Sequence, residues 1–234
     1  MNAKFLRKTE EAKNITTFYF KPDRPLDFVP GQFTRLSLPH EDQDDRGHKR
    51  WFTLSSTPRA EHVAITTKFT PAKSSSFKKA MLALKPGTEV QLESPMGDFV
   101  LPKDPATPLI FVAAGIGLTP FHSMLDWLAE NHQTRPIKFL YAVRSEDDII
   151  FQETFTRAGV HVTIVVSQPS PAWGGESGHL TAEMILGLEH PSDDTLIYMS
   201  GPKAQVVELE TALKEAGISS NQLILDFFPG YTSA

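Results

Sequence analysis

The sequence predicts two domains of different class. Residues 1–102 read as an antiparallel Greek-key β-barrel, and residues 103–234 as a doubly wound α/β domain around a parallel sheet. Three observations predict this. Up to about Leu101, apolar residues alternate or cluster in short runs rich in Phe, Val, Ile and Thr, broken by Pro, Gly and charged turns. Residues 101–108, LPKDPATP, carry three prolines, which stiffen an extended linker. Beyond the linker, buried strands alternate with amphipathic helices, a pattern that implies parallel pairing.

In order, the first half reads as strands over residues 4–6, 16–20, 33–38, 51–54, 62–67, 89–93 and 99–101, with one helix over 76–84. Many short strands without long helices imply a closed barrel, since closure removes exposed edges. The second half reads as strand 109–113, helix 120–130, strand 138–143, helix 151–158, strand 161–166, helix 181–186, strand 196–199, helix 204–216 and strand 223–225. No internal repeat is visible, and the acidic stretch 41–45 reads as a solvated loop.

Composition narrows the function. The chain has 234 residues and a formal charge of −5, which lacks the electrostatic footprint of a general nucleic-acid binder. It contains 0 cysteines, so disulfides, thiolate metal sites, a cysteine nucleophile and iron–sulfur clusters ligated by this chain are excluded. Redox chemistry would need an organic cofactor. The eight histidines show no metal-helix spacing, so no protein metal site is expected, and Ser55-Ser56 lacks a nucleophile elbow. The start MNAKFLRKTEEAK has no apolar signal core and no run is long enough to span a bilayer, so a soluble, cytoplasmic protein without a transmembrane segment is expected.

Four motifs carry chemistry. Residues 113–120, AAGIGLTP, join a buried strand to a helix; glycines there let the backbone approach a diphosphate, and the helix start supplies amide donors. Thr119 is expected to cap that helix and Pro120 to take its first position. Residues 50–58, RWFTLSSTP, place an arginine, an aromatic and hydroxyls on a strand, suited to pairing a phosphate and covering a planar ring. Residues 94–99, SPMGDF, and 200–202, SGP, follow.

Together and in this order these motifs resemble the ferredoxin-NADP reductase superfamily: its RxYSxxS flavin segment, GPxGxF turn, GxGxTP turn and CGP turn. The resemblance covers nearly the whole chain and implies a flavin-binding barrel followed by a pyridine-nucleotide domain. It implies that Arg50 binds the flavin phosphate, that Phe52 lies against the isoalloxazine, and that Thr53 lies near flavin N5, with Ser56 completing the segment. Lys73, Ser74, Ser75 and Ser76 match the later segment that holds the diphosphate. On the nucleotide side, Gly115, Gly117, Thr119 and Pro120 match the pyrophosphate turn, and Ser200, Gly201 and Pro202 the turn at the nicotinamide. Arg144 with Ser145 suits a 2′-phosphate, whereas Asp147 or Asp148 disfavours one, so NADPH and NADH both stay open. Residues 173–179, WGGESGH, resemble a WxGxxG loop. In the tail, either Phe228 or Tyr231 is the aromatic that covers the flavin. Two departures stand out: Phe52 replaces the family tyrosine and Ser200 the family cysteine.

The resemblance implies a flavin-dependent NAD(P)H oxidoreductase, with FAD favoured over FMN, in which Thr53 and Ser200 flank the reacting rings. Electrons then pass to a separate acceptor: ferredoxin, flavodoxin, a cytochrome or another small-molecule acceptor such as a quinone. Lys68, Lys73, Lys78, Lys79 and Lys85 form either a solvated face or a docking patch for an acidic redox partner. Two other readings stay open. One is an NAD(P)H:flavin reductase using free flavin as substrate, whose RPFSxAS segment is similar to RWFTLSS; the other is a flavin-binding electron-transfer subunit without turnover of its own.

Overall fold

The structure, a computed structural model, describes residues 1–70, 74–188 and 191–228. They divide into two compact units, one ending at Val100 and the other beginning at Leu101.

In the first unit, β1 (Asn2–Ala12) and β2 (Ile15–Pro22) form a hairpin that turns at Asn14, whose φ of 66° suits an asparagine. β3 (Phe33–Ser37), β4 (Lys49–Thr53), β5 (Val63–Lys68), α1 (Ser76–Leu82) and β6 (Glu89–Leu92) follow. The antiparallel sheet has the order β4-β3-β6-β1-β2-β5. Phe5, Phe18, Phe20, Leu36 and Ile65 fill its inner face, and α1 closes it with Phe77 and Met81, four residues apart on one helical face.

Two expectations are corrected here. The barrel is not closed by a ladder, because β4 and β5 remain the sheet's two edges. They meet at the bond from Ser55 N to the Ala64 carbonyl (2.9 Å), and the intervening chain is spent on a turn closed by Ala60 N and the Thr57 carbonyl. Residues 99–101 form no strand. Gly97 has a φ of 109°, Val100 N bonds back to the Asp98 carbonyl at 2.9 Å, and pairing stops at an isolated bridge between Phe33 and Met96.

The second unit is a parallel sheet of order β10-β9-β8-β7-β11-β12. Its elements are β7 (Leu109–Ala114), α2 (Leu118–Glu130), β8 (Ile137–Val143), α3 (Gln152–Ala158), β9 (Val162–Val166), β10 (Glu176–Ser177), α4 (Ala182–Leu188), β11 (Leu196–Pro202), α5 (Lys203–Glu215) and β12 (Leu223–Phe228). All of β7 is buried, as a central strand covered on both faces must be. Phe111 packs on Phe121 of α2 at 4.7 Å, while Ile110 and Val112 join Ile185 of α4 and Leu209 of α5. The period of two thus sends alternate β7 side chains to opposite helical layers. β10 is a short parallel strand inside the 173–179 segment, where Trp173 Nε1 donates to the Glu176 carbonyl at 2.9 Å.

Candidate flavin and nucleotide sites

β4 alternates its side chains, so Arg50 and Phe52 share the inner face while Trp51 points out with 43% of its surface exposed. Phe52 lies 6.0 Å from Phe77, and the Arg50 guanidinium sits 5.1 Å over the same ring. Arg50 Nη1 donates to the carbonyls of Arg46 and Gly47 at 2.9 Å each and of Lys49 at 2.7 Å. Nη2 donates to Asp44 Oδ1 at 2.5 Å, and this contact holds the Asp44 carboxyl below its usual range. Nε is buried and has no partner among the described residues.

The serine run is locally engaged. Ser74 donates to the Thr70 carbonyl at 2.9 Å, and Ser75 caps α1 by accepting from Lys78 N. Ser76 Oγ accepts from Asp44 N at 3.3 Å and lies 3.1 Å from His40 Nε2. Arg50, Phe52 and Ser76 are therefore brought together around Phe77 and Asp44. Thr53 is buried next along the strand, whereas Ser56 turns away to accept from Ala64 N at 3.0 Å. Lys73 and Tyr231 lie outside the described residues, as does the side chain of Phe228. Of the lysine patch, Lys78 Nζ donates to the Lys68 carbonyl at 2.5 Å.

In the second unit the chain leaves β7 toward β8 on one side and returns to β11 on the other, so the strand order reverses between β7 and β11. At the carboxyl ends of these two strands stands the glycine turn. Gly115 has a φ of 55°, and a Cβ on Gly117 would lie 2.1 Å from the Ser200 carbonyl oxygen. A Cβ on Gly201 would meet Ala114 Cβ at 2.8 Å. Only glycine fits both places, and backbone therefore lines this edge.

The cap differs from expectation. Gly117 is the N-cap of α2, Thr119 donates to the Ile116 carbonyl at 3.0 Å, and Pro120 is the third helical residue. Proline is accepted there because amides of the first turn have no intrahelical partner. Arg144 is exposed after β8, with Nε bonded to Gln168 Oε1 at 3.0 Å, while Glu146 accepts from Ser170 N at 2.9 Å.

Sequence reasoning missed one residue. Asp226 pairs with Ser200 across β11 and β12, and Ser200 Oγ donates to Asp226 Oδ2 at 3.2 Å. Burial pushes this carboxyl up to about 6, against a smaller opposing effect of the Ser200 hydrogen bond. A lone acid within the apolar strand LILDFF was the available signal. Its partner lies 26 residues away and becomes apparent only from strand pairing.

Both arrangements fit anionic cofactors: an arginine with an orphaned buried Nε in one unit, and a backbone cradle that a Cβ would fill in the other. Among the described residues, no group of acids and histidines suits a metal ion, and no helix is long and apolar enough to cross a membrane.

Comparison with known proteins agrees with these features. Residues 111–208 match the family "Oxidoreductase NAD-binding domain". The chain is 27% identical to a flavohemoprotein of Oceanobacillus iheyensis over 96% of its own length and 58% of that protein's. It spans 60% of the similar flavohemoprotein A of Dictyostelium discoideum, so it matches only part of each relative. The fold is that of the FAD/NAD-binding domain of a Vibrio cholerae nitric oxide dioxygenase, with a TM-score of 0.83 at 21% identity, covering 97% of this chain and 98% of that one. It is also that of a Neisseria gonorrhoeae ferredoxin NADP+ reductase solved with FAD and NADP, with a TM-score of 0.81 at 16% identity and coverage of 97% and 98%. The match over residues 111–208, the relatives similar along nearly the whole of this chain and both solved architectures agree: residues 111–208 resemble an oxidoreductase NAD-binding domain, and the chain as a whole has the two-unit fold of these FAD/NAD(P)-binding reductases.

Proposed function

We propose that the chain is an NAD(P)H-dependent flavoprotein reductase that passes hydride from nicotinamide to FAD and then electrons to a separate acceptor, such as ferredoxin, flavodoxin or a cytochrome. The observation that carries this reading is the glycine turn at the reversal of strand order between β7 and β11. In open parallel sheets this is where nucleotides bind, because diverging connections leave a crevice and helix amides face it. There Gly115 and Gly117 would admit a diphosphate to the backbone. Ser200, Gly201 and Pro202 would border the nicotinamide.

Bound FAD would supply the step from paired to single electrons. The chain's own part is binding and orientation. Arg50 would hold a flavin phosphate, Phe52 would flank the ring system and Thr53 would offer its hydroxyl to the ring edge. Ser76 is joined to Arg50 through Asp44. Replacing the family cysteine with Ser200 leaves a hydroxyl that holds a hydrogen bond to Asp226 without itself reacting.

Flavin titration tests the assignment. Arg50→Ala should weaken FAD binding roughly ten-fold or more, the worth of one charge-assisted phosphate contact; unchanged FAD affinity would remove Arg50 from the site. The pairing of Arg50 with Asp44 favours a second reading, in which flavin is held loosely and serves as a substrate. Saturable dependence of NAD(P)H oxidation on added FMN or riboflavin would support that reading.

A further inference from the structure

We propose that Asp44 is a specificity residue of the flavin site: its carboxylate competes with the flavin phosphate for Arg50, narrowing the preference for phosphorylated flavins over riboflavin. This rests on the reading of Arg50 as phosphate ligand.

The donors of Arg50 can be followed one by one. Nη1 is filled by the three carbonyls of Arg46, Gly47 and Lys49. That corner is part of the local fold and is unavailable to a ligand. An oxyanion that grips the remaining edge of a guanidinium uses Nε and Nη2 together. Nε is buried without a partner among the described residues, whereas Nη2 is taken by Asp44 Oδ1 at 2.5 Å. A phosphate can make the two-point contact only when the carboxylate leaves.

The carboxylate is held in place by more than Arg50. Asp44 Oδ1 also accepts from Arg46 N at 3.0 Å, and Oδ2 lies 3.5 Å from Arg46 Nη2. Asp44 N donates to Ser76 Oγ at 3.3 Å, and His40 Nε2 lies 3.1 Å from the same hydroxyl. One loop therefore engages both Arg50 and Ser76, two of the groups assigned to the phosphate. A phosphate arriving there meets a fixed carboxylate of like charge and must displace it. Riboflavin has no phosphate and meets neither obstacle.

The alternative sign is equally physical. If Asp44 serves to aim Arg50 at the phosphate, removing its charge weakens binding. The two roles differ in one titration. Full-length protein stripped of flavin is titrated with riboflavin, FMN and FAD, following flavin fluorescence, as wild type and as Asp44→Asn, which keeps the shape and an acceptor oxygen. FMN and FAD should bind roughly ten-fold more tightly to the variant, the scale of one charged contact, while riboflavin is unchanged. Unchanged or weaker binding of FMN and FAD overturns the proposal, as does an equal gain for riboflavin. If wild type and variant bind none of the three flavins, the flavin reading itself fails and the proposal with it.

Should the variant fail to fold, the wild type supplies a second test by hydrogen exchange. FMN should speed exchange across residues 38–49, where Asp44 N would lose Ser76, and riboflavin should not. Slowed or unchanged exchange with FMN overturns the proposal.

Discussion

Asp226 provides a test whose size follows from the structure. Its carboxyl is pushed up from 3.8 to about 6 by burial in β12. An acid whose folded value lies above its unfolded one binds its proton more tightly when folded. The stabilisation is therefore fully present below pH 3.8 and is lost as pH rises through about 6. The whole shift corresponds to about 3 kcal/mol, of which about 1.4 kcal/mol falls between pH 5 and pH 8. Asp226→Asn removes the titration and keeps an acceptor for the Ser200 hydroxyl. The intrinsic effect of asparagine is the same at both pH values, so it cancels in the comparison. The stability change caused by the substitution should be about 1.4 kcal/mol more favourable at pH 8 than at pH 5. Urea unfolding of both proteins, followed through Trp127 of α2, measures it. Equal changes at the two pH values would refute the argument that the protein holds this carboxylate at a cost.

The opposite sign applies to His122, which stacks on Phe151 at 3.7 Å and is lowered by burial from 6.5 to about 4. Its stabilisation is full above 6.5 and is lost as pH falls through about 4, so between pH 8 and pH 5 His122→Gln should lose about 2 kcal/mol less stability than wild type in the same unfolding assay; parallel curves would contradict it. Gly117→Ala drives a Cβ to 2.1 Å from the Ser200 carbonyl and should cost about 2–3 kcal/mol and impair nucleotide binding, whereas Gly115→Ala, with open space but a φ of 55°, should cost about 1 kcal/mol. Equal urea midpoints for the two variants would show that the cradle is not tight. Arg144→Ala should raise the KM for NADPH roughly ten-fold and leave that for NADH unchanged if its exposed guanidinium takes a 2′-phosphate; steady-state kinetics with both nucleotides reveal unchanged values if it does not.

Local signals in the sequence were strong where the responsible forces are local. Both classes of sheet follow from hydrophobic period, and the glycine turn follows from residues that sit together in AAGIGLTP. The cap of α2 was misplaced because Thr119-Pro120 has the composition of a helix start, while the geometry that decides it is the collision awaiting any side chain at Gly117. The collision involves Ser200, far along the chain. The pairing of Ser200 with Asp226 and the engagement of Ser76 by Asp44 were hidden for the same reason, since each depends on which strands and loops lie side by side. The acidic stretch 41–45 looked like a solvated loop, and only the placement of β4 beside it turned Asp44 into a partner of Arg50. The missing strand at 99–101 shows the limit of period alone: apolar alternation there lacked a neighbour beyond the Phe33–Met96 bridge.

The most direct test of the central claim is the visible spectrum of the purified protein supplied with FAD, recorded anaerobically before and after NADPH or NADH. The account predicts bound-flavin bands that bleach on adding at least one of the two nucleotides. A protein that retains no FAD, or whose bound flavin stays oxidised with both nucleotides, would contradict it.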